Sequence, residues 1–154
     1  MEFKVGFNDS RGNYWLGNDL LHQLTRGSRN KYKLRFDLQM RTNQSWYYAE
    51  YSSFVVSSEA NSYTLLVSGY TGNAGDSFGT HDRHMFATYD RNNDLRASVN
   101  CAVVAGGGFW YSRNGACSSW SNVNADHSVG SGFRWYSHET RNNYLQLSRM
   151  WLTC

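Results

Sequence analysis

The stretch Lys33-Leu34-Arg35-Phe36-Asp37-Leu38 alternates strictly between polar and apolar side chains. Successive side chains of a β-strand point to opposite faces, so a period of two predicts a strand with one buried face and one face in water. Leu34, Phe36 and Leu38 form the expected buried face. The stretch therefore predicts an antiparallel sheet that covers a hydrophobic core on one side.

A short helix is predicted before this strand. Asn18 is expected to cap it, Leu20, Leu21 and Leu24 fall on one face, and Gly27 is expected to end it.

Two further strands are predicted at Trp46 to Val56 and at Ser62 to Tyr70, which are rich in Tyr, Val and Thr. After Tyr70, Gly, Asn, Ser and Asp recur every few residues, and apolar periodicity returns only at 133–136 and at Tyr144 to Leu152. Ordered loops of this length are usually functional and tied down by a disulfide or a metal. We predict a single α+β domain over 1–154, with a helix and sheet part at about 1–70 and a loop-rich binding part at about 71–154.

The composition is typical of a recognition protein. Only 18% of the 154 residues are charged and 16% are aromatic, with six Trp and eleven Tyr. The formal charge of +3 is spread along the sequence without a basic stripe, which argues against nucleic acid as a partner. No apolar run is long enough to span a membrane, and the start of the sequence has no signal-peptide pattern, so a secreted protein would be seen here in its mature form.

Three cysteines indicate an oxidising, extracellular compartment. Cys101 and Cys117 lie in a Gly- and Ser-rich segment and look like a pair, and no Cys/His clustering suggests zinc. Cys154 is the last residue, and two interpretations of it stay open: a link to another polypeptide, or a free thiol.

The segment Asp90-Arg91-Asn92-Asn93-Asp94 places oxygen-bearing side chains at alternate positions of a turn-prone stretch. A hard cation such as calcium needs several oxygen ligands from one loop. An Asx-type turn that binds nothing has the same pattern. Spacing alone leaves both interpretations open.

The histidines do not form a recognisable catalytic site. His81 and His84 flank Asp82 without a third metal ligand at helix or hairpin spacing, so we interpret them as structural. His22 and His138 have no Ser or Cys partner in a known nucleophile motif. We expect that the protein is not an enzyme.

The run Gly106-Gly107-Gly108 precedes aromatic residues and not the Lys-Ser/Thr of a phosphate loop. We expect these glycines to allow close backbone packing beneath Phe109 and Trp110.

Aromatic and polar side chains are mixed throughout the last third of the sequence. Such a mixture suits a sugar or a peptide, because rings cover apolar faces while amides, hydroxyls and guanidinium groups fix orientation. Trp110 and Trp135 are expected to belong to the core, whereas Arg134 and Arg141 are candidates for binding a carboxylate. The mixture comprises Trp110, Tyr111, Arg113, Trp120, His127, Tyr136, His138 and Arg141.

Taken together, several motifs in order from about Gly6 to Leu152 closely resemble the fibrinogen-related domain, the family of fibrinogen chains, ficolins, tachylectins and angiopoietins. These motifs are 14–19 (YWLGND), 34–38 (LRFDL), 48–54 (YAEYSSF), 72–77 (GNAGDS), 89–94 (YDRNND), 100–102 (NCA) and 106–111 (GGGFWY).

The resemblance implies a fibrinogen C-terminal-like α+β fold, with an antiparallel sheet and short helix followed by a loop-rich subdomain that holds a calcium ion, a disulfide and a ligand pocket. Full-length members begin with a disulfide-bonded N-terminal subdomain that this sequence lacks. Short forms of this kind are similar to the sialic-acid-binding lectins of molluscs.

The resemblance also implies a calcium site and a disulfide. Asn92 and Asp94 would supply side-chain ligands, with backbone carbonyls from about Arg96 to Ser98. The family usually has Asp where Asn92 stands, and one extra residue precedes Asn100, so any calcium would bind weakly. The disulfide would join Cys101 to Cys117.

The ligand pocket departs from the family pattern. Positions that hold aromatic and His side chains in the family's acetyl-binding lectins correspond here to Ala105, Ser118, Val129, Gly130 and Arg141. Either the pocket has lost its function, or it is rebuilt for a more polar, anionic sugar. Sialic acid carries an N-acetyl group and a carboxylate, and an arginine fork can bind the carboxylate. The predicted sugar-binding residues are Ser118, Ser119, Ser128, Gly130, Ser131, Arg134, Tyr136, His138 and Arg141.

The expected function is that of a secreted lectin of innate recognition that binds sialylated or N-acetylated glycans. Weak single-site affinity favours a homo-oligomer, through Cys154 or through a sheet-side interface. The alternative is a fibrinogen-like module that binds a peptide or receptor and no sugar.

Overall fold

A computed structural model describes residues 2–10, 12–27, 32–113, 117, 120–126, 132–137 and 144–153. The helices are α1 Glu2–Val5, α2 Asn18–Thr25 and α3 Cys101–Ala105. The strands are β1 Phe7–Asn8, β2 Tyr14–Trp15, β3 Lys33–Met40, β4 Trp46–Val56, β5 Leu65–Gly72, β6 Ser121–Asn122, β7 Arg134–Trp135 and β8 Leu145–Thr153. No helix in these ranges has the length and apolar character needed to cross a membrane.

Four antiparallel strands form the central sheet in the order β5-β4-β3-β8. Leu34 of β3 lies opposite Tyr51 of β4 on one side and Leu152 of β8 on the other. The antiparallel sheet predicted from the alternation is confirmed. The pairing of β3 with β8 is new, since it joins the first part of the sequence to its last strand.

The inner face of β3 is the centre of the core. Leu34, Phe36 and Leu38 are at most 1% exposed, as the alternation predicts. Burial of each such side chain stabilises the fold by about 1.5–3 kcal/mol. The ring of Phe36 lies 4.9 Å from that of Phe78 and 5.0 Å from that of Trp135. The sheet and the loop-rich part therefore share one hydrophobic core.

Helix α2 begins differently from the prediction. Its N-cap is Gly17, at φ 98°, and the cap makes no side-chain hydrogen bond. Asn18 is instead the first helical residue, and its Oδ1 accepts a hydrogen bond from Trp15 Nε1 at 3.3 Å. The helix ends at Thr25, and it buries Leu21 and Thr25 while Leu20 is 41% exposed. The helix was predicted correctly, but Asn18 is used to anchor a buried tryptophan and not as a cap.

Strand β5 begins at Leu65, three residues later than predicted. Ser62 and Tyr63 have positive φ angles of 51° and 49°, directly after the 3-10 turn Glu59–Asn61. A left-handed backbone cannot join a sheet ladder, so the turn delays the strand.

Two buried tryptophans hold the loop-rich part against the sheet. Trp110 and Trp135 are fully buried, which confirms their expected place in the core. Trp110 Nε1 donates to the Tyr63 carbonyl at 2.7 Å, and Trp135 Nε1 donates to the Gly75 carbonyl at 3.0 Å. Each ring thus buries a large apolar area and satisfies its only donor.

Each glycine of 106–108 meets a different steric demand. Gly106 ends α3 in the left-handed conformation, at φ 70°. A Cβ on Gly107 would lie 2.0 Å from the backbone oxygen of Asn124, and one on Gly108 would lie 2.8 Å from the ring of Phe3. Close packing at these glycines is confirmed, and it is made against the backbone of Asn124 and the rings of Phe3 and Phe86.

Candidate functional site

The short ladder of β6 and β7 organises the predicted binding region. Ser121 pairs with Trp135 and Asn122 with Arg134. A hydrogen bond of 2.6 Å from Tyr136 N to the Trp120 carbonyl continues the ladder by one residue. Because side chains alternate along a strand, Arg134 and Tyr136 lie on the face opposite to the buried ring of Trp135.

Trp120 lies across the ladder from Tyr136. Their rings pack edge to face, with centroids 5.6 Å apart and an interplanar angle of 79°. Both side chains are half-buried. The carbonyl of Trp120 also accepts a hydrogen bond of 2.6 Å from Ser77 Oγ, which ties this residue to the 72–77 turn. The pair is a packed aromatic surface, and Arg134 lies two residues before Tyr136 on the same face of the ladder.

The structure brings two predicted sugar-binding residues together, Arg134 and Tyr136. Trp120 belongs to the same group, but the sequence placed it only in the general aromatic mixture of the last third. The sequence feature that could have indicated Trp120 as a site residue is its position directly after Cys117-Ser118-Ser119. The other predicted site residues lie outside the described residues: Ser118, Ser119, Ser128, Gly130, Ser131, His138 and Arg141.

The described residues that border these segments converge on the same ladder. Trp120 follows the segment 118–119, and it pairs with Tyr136, two residues before the segment 138–143. Tyr144 directly follows that segment and forms a β-bridge with Arg134. Described residues that flank two of the predicted binding segments therefore lie together at the β6–β7 ladder.

Of the positions predicted to correspond to the family's acetyl pocket, one lies within the described residues, and its side chain is buried. Ala105 is only 2% exposed, at the end of α3. Its carbonyl accepts a hydrogen bond of 3.2 Å from Asp126 N. Ala105 is thus part of the support for residues 120–126.

The predicted disulfide between Cys101 and Cys117 is confirmed and closes a separation of 16 residues. Cys101 is fully buried at the start of α3. Cys117 directly precedes the predicted site residue Ser118 in sequence, and the disulfide ties Cys117 to the buried start of α3. Cys154 lies outside the described residues.

The predicted calcium residues form a compact hydrogen-bonded turn. Asp94 is 1% exposed, and its Oδ1 and Oδ2 accept hydrogen bonds from Arg96 N at 2.9 Å and Cys101 N at 2.6 Å. The amide of Asn92 faces the same carboxylate. Calcium takes six to eight oxygen ligands, usually from several carboxylates. A single buried carboxylate beside an amide fits calcium poorly, and no group of three or more His, Cys, Asp or Glu occurs among the described residues.

His81 has the structural role that the sequence predicts. It is buried, and burial lowers its pKa to about 3, so the ring is neutral at physiological pH. A carbonyl can only accept, so Nδ1 donates to the Trp110 carbonyl at 2.7 Å, and Nε2 accepts from Ser121 Oγ at 3.0 Å. This Ser–His pair holds β6 against the core and lies away from solvent.

A loop region that is fixed by a disulfide, shares its core with a sheet and carries half-buried aromatic and guanidinium groups is typical of a binding module. Residues 1–154 match the family model of the C-terminal globular domain of the fibrinogen beta and gamma chains. The protein belongs to this family.

The relatives of this protein include a lectin and proteins of other kinds. Techylectin-5A of Tachypleus tridentatus is 39% identical over 111 residues, which cover 72% of this chain and 37% of that protein. Human angiopoietin-related protein 7 is 40% identical over 124 residues, which cover 80% of this chain and 33% of that protein. The match thus spans about a third of the length of these relatives.

Solved structures confirm the fibrinogen-like fold. The fibrinogen-like globe domain of human ANGPTL6 has a TM-score of 0.80 and 34% identity, and the match covers 98% of this chain and 68% of that one. Lamprey fibrin D-dimer, solved with the peptide ligand Gly-His-Arg-Pro-amide, has a TM-score of 0.77 and 26% identity, and the match covers 98% of this chain and 54% of that one.

Proposed function

We propose that this protein is a lectin that binds sialic acid or another N-acylated, acidic glycan. The observation that carries the proposal is that the half-buried Arg134 and Tyr136 share the face opposite to Trp135, with the ring of Trp120 packed edge to face on Tyr136. A guanidinium binds a sugar carboxylate through paired hydrogen bonds, and aromatic rings cover the apolar face of a sugar. The similarity to Techylectin-5A supports a lectin.

The remaining predicted residues complete the proposed site. The hydroxyls of Ser118, Ser119, Ser128 and Ser131 would bind ring and glycerol hydroxyls of the sugar. Arg141 is the proposed partner of the carboxylate together with Arg134. The other members of the site are Gly130 and His138.

A protein- or peptide-binding module is the second candidate. It is favoured by the fibrin structure, which was solved with a peptide ligand, and by the angiopoietin-related relatives. An arginine beside aromatic rings can bind an acidic peptide as well as a sugar.

We further propose that the protein is secreted and works as a homo-oligomer. The Cys101–Cys117 disulfide supports an oxidising compartment. Several weak sugar sites on one assembly would raise the overall affinity. Cys154 could link protomers, and the outer sheet face carries the half-exposed Trp46 and Trp151, which suit a sheet-side interface.

Calorimetric titration with sialyllactose and with lactose tests the lectin proposal, because the two sugars differ only in the sialic acid. We expect binding to sialyllactose alone. Arg134→Ala and Arg141→Ala should each weaken it about 10- to 100-fold, since each removes a charged hydrogen-bond partner. The matched control is Arg26→Ala, an exposed arginine at the end of α2, which should bind normally.

Folded protein that binds no sialylated or N-acetylated glycan would refute the lectin proposal. A short peptide that carries Asp and Glu side chains is then the first probe of the second candidate, because a guanidinium binds carboxylates. Binding of that peptide, weakened by Arg134→Ala, would favour the protein-binding module.

A further inference from the structure

We propose that the side-chain amide of Asn92 takes the place of a bound cation opposite Asp94, so that residues 90–101 keep their structure without calcium. This inference does not depend on the proposed function. It concerns how the loop beside the binding region is stabilised.

The carboxylate of Asp94 is almost completely buried, and burying a charge is costly unless the group is paired and hydrogen-bonded. Here both oxygens accept backbone hydrogen bonds, one from Arg96 N within the loop and one from Cys101 N at the start of α3. Asp94 therefore closes the loop onto the helix that carries the buried cysteine of the disulfide.

The amide of Asn92 supplies the remaining donor. With its nitrogen toward Asp94, it lies 3.0 Å from Oδ1 and 3.1 Å from Oδ2. The opposite orientation would place the amide oxygen against two carboxylate oxygens, which repel it. That orientation keeps two longer hydrogen bonds, from Asp94 N to the amide oxygen at 3.3 Å and from the amide nitrogen to the Val99 carbonyl at 3.4 Å, so the two shorter bonds to the carboxylate favour the nitrogen toward Asp94.

The net charge around Asp94 depends on which residue occupies position 92. With Asn, the amide and two backbone donors surround one negative charge. With Asp, two carboxylates would lie about 3 Å apart, and such a pair cannot stay ionised together without a cation between them. Asp90 does not replace the missing charge at this point, because its exposed carboxylate accepts a hydrogen bond of 2.6 Å from Thr88 Oγ1. Of the two interpretations of this stretch, the geometry favours the Asx-type turn.

The variant Asn92→Asp tests the proposal by restoring the second carboxylate. Melting temperatures are measured by circular dichroism with chelator and with millimolar calcium chloride. We expect wild-type protein to melt at the same temperature in both. Asn92→Asp should melt about 3–8 °C lower than wild type in chelator and regain much of this loss in calcium.

Asn43→Asp is the matched control, since it adds the same charge on an exposed residue of the β3–β4 turn. It should respond to neither chelator nor calcium. Calorimetric titration of wild-type protein with calcium alone should show no saturable heat.

A rise of several degrees in the wild-type melting temperature on adding calcium, or saturable heat of binding, would overturn the proposal. An Asn92→Asp protein that is as stable as wild type in chelator and indifferent to calcium would overturn it as well. If Asn92→Asp fails to fold even with calcium, the wild-type titration still decides the question.

Discussion

The hydroxyl of Tyr51 in β4 donates a hydrogen bond of 2.8 Å to Oδ1 of Asp76, in the turn that follows the central sheet. The same hydroxyl oxygen accepts from Phe78 N at 3.2 Å. Burial, together with the charge of Asp76, raises the pKa of the Tyr51 hydroxyl, so it remains a donor at any physiological pH. This one residue joins the sheet to the loop-rich part.

Tyr51→Phe should lower the free energy of unfolding by about 1–3 kcal/mol, because the buried N–H of Phe78 loses its partner and Asp76 loses a donor. Chemical denaturation measures the change. Tyr47→Phe is the control in the same strand, since the Tyr47 hydroxyl makes no hydrogen bond within the described part of the protein. Equal stability of the two variants would show that the Tyr51 contact does not join the two parts.

Gly107→Ala should lower the free energy of unfolding by about 3 kcal/mol or more, because the new methyl group would overlap the backbone oxygen of Asn124. Gly27→Ala is the control: among the described residues no atom lies within 4 Å of a Cβ built at this position, and its φ of +83° is what opposes the change. The control should lose about 1 kcal/mol. Thermal melts of both variants make the comparison, and a Gly107→Ala protein as stable as Gly27→Ala would mean that the backbones can separate there.

Acid should destabilise the protein through His81. Its pKa is about 3 in the folded state and 6.5 in the unfolded state, so the unfolded state takes up a proton first as the pH falls. The stabilisation from the neutral ring is complete above 6.5 and declines down to about 3, at about 1.4 kcal/mol per pH unit. The loss at about pH 4.5 is therefore about 3 kcal/mol from this group.

Urea unfolding between about pH 7.5 and about pH 4.5 measures this dependence. His81→Gln has no such proton uptake, so its stability should be lower at neutral pH and should change less with pH. A His81→Gln variant with an unchanged slope would assign the acid sensitivity to other groups.

Removal of the Cys101–Cys117 disulfide should destabilise the fold by about 3 kcal/mol, the value for a closed loop of about this length. The double variant Cys101→Ala, Cys117→Ala should then melt about 6–12 °C lower. Cys154→Ser serves as the background for both proteins, so that no third thiol can exchange. Identical melting curves would show that the buried contacts of α3 hold the loop without the disulfide.

Those parts of the fold that depend on local patterns could be predicted from the sequence. The alternation in 33–38 indicates its strand directly, and the interior positions of Trp110 and Trp135 follow from their size. The β3–β8 pair could not be predicted in this way, because local periodicity does not indicate which distant strand pairs with β3. The role of Asn18 was missed for a related reason: a tryptophan three residues earlier binds the oxygen that would have capped the helix.

The candidate site was predicted in part by chemistry. Arg134 stood out as a charged residue among glycines and serines, and it lies with Tyr136 on the face opposite to Trp135. The position of Trp120 depends on the β6–β7 register, which two-residue strands do not indicate in sequence. At Asn92 the sequence showed a lost charge, whereas the contact that compensates for it is visible only in three dimensions.

Because β8 pairs with β3, the central sheet can be completed only once β8 has been synthesised. Until Thr153 has left the ribosome, β3 can pair only with β4, and the side of the sheet later covered by Leu152 and Met150 stays open to water or to chaperones. Pairing across more than a hundred residues requires the closure of a long loop, which slows folding. The nascent polypeptide must therefore protect an unfinished sheet edge while the whole binding region is being made.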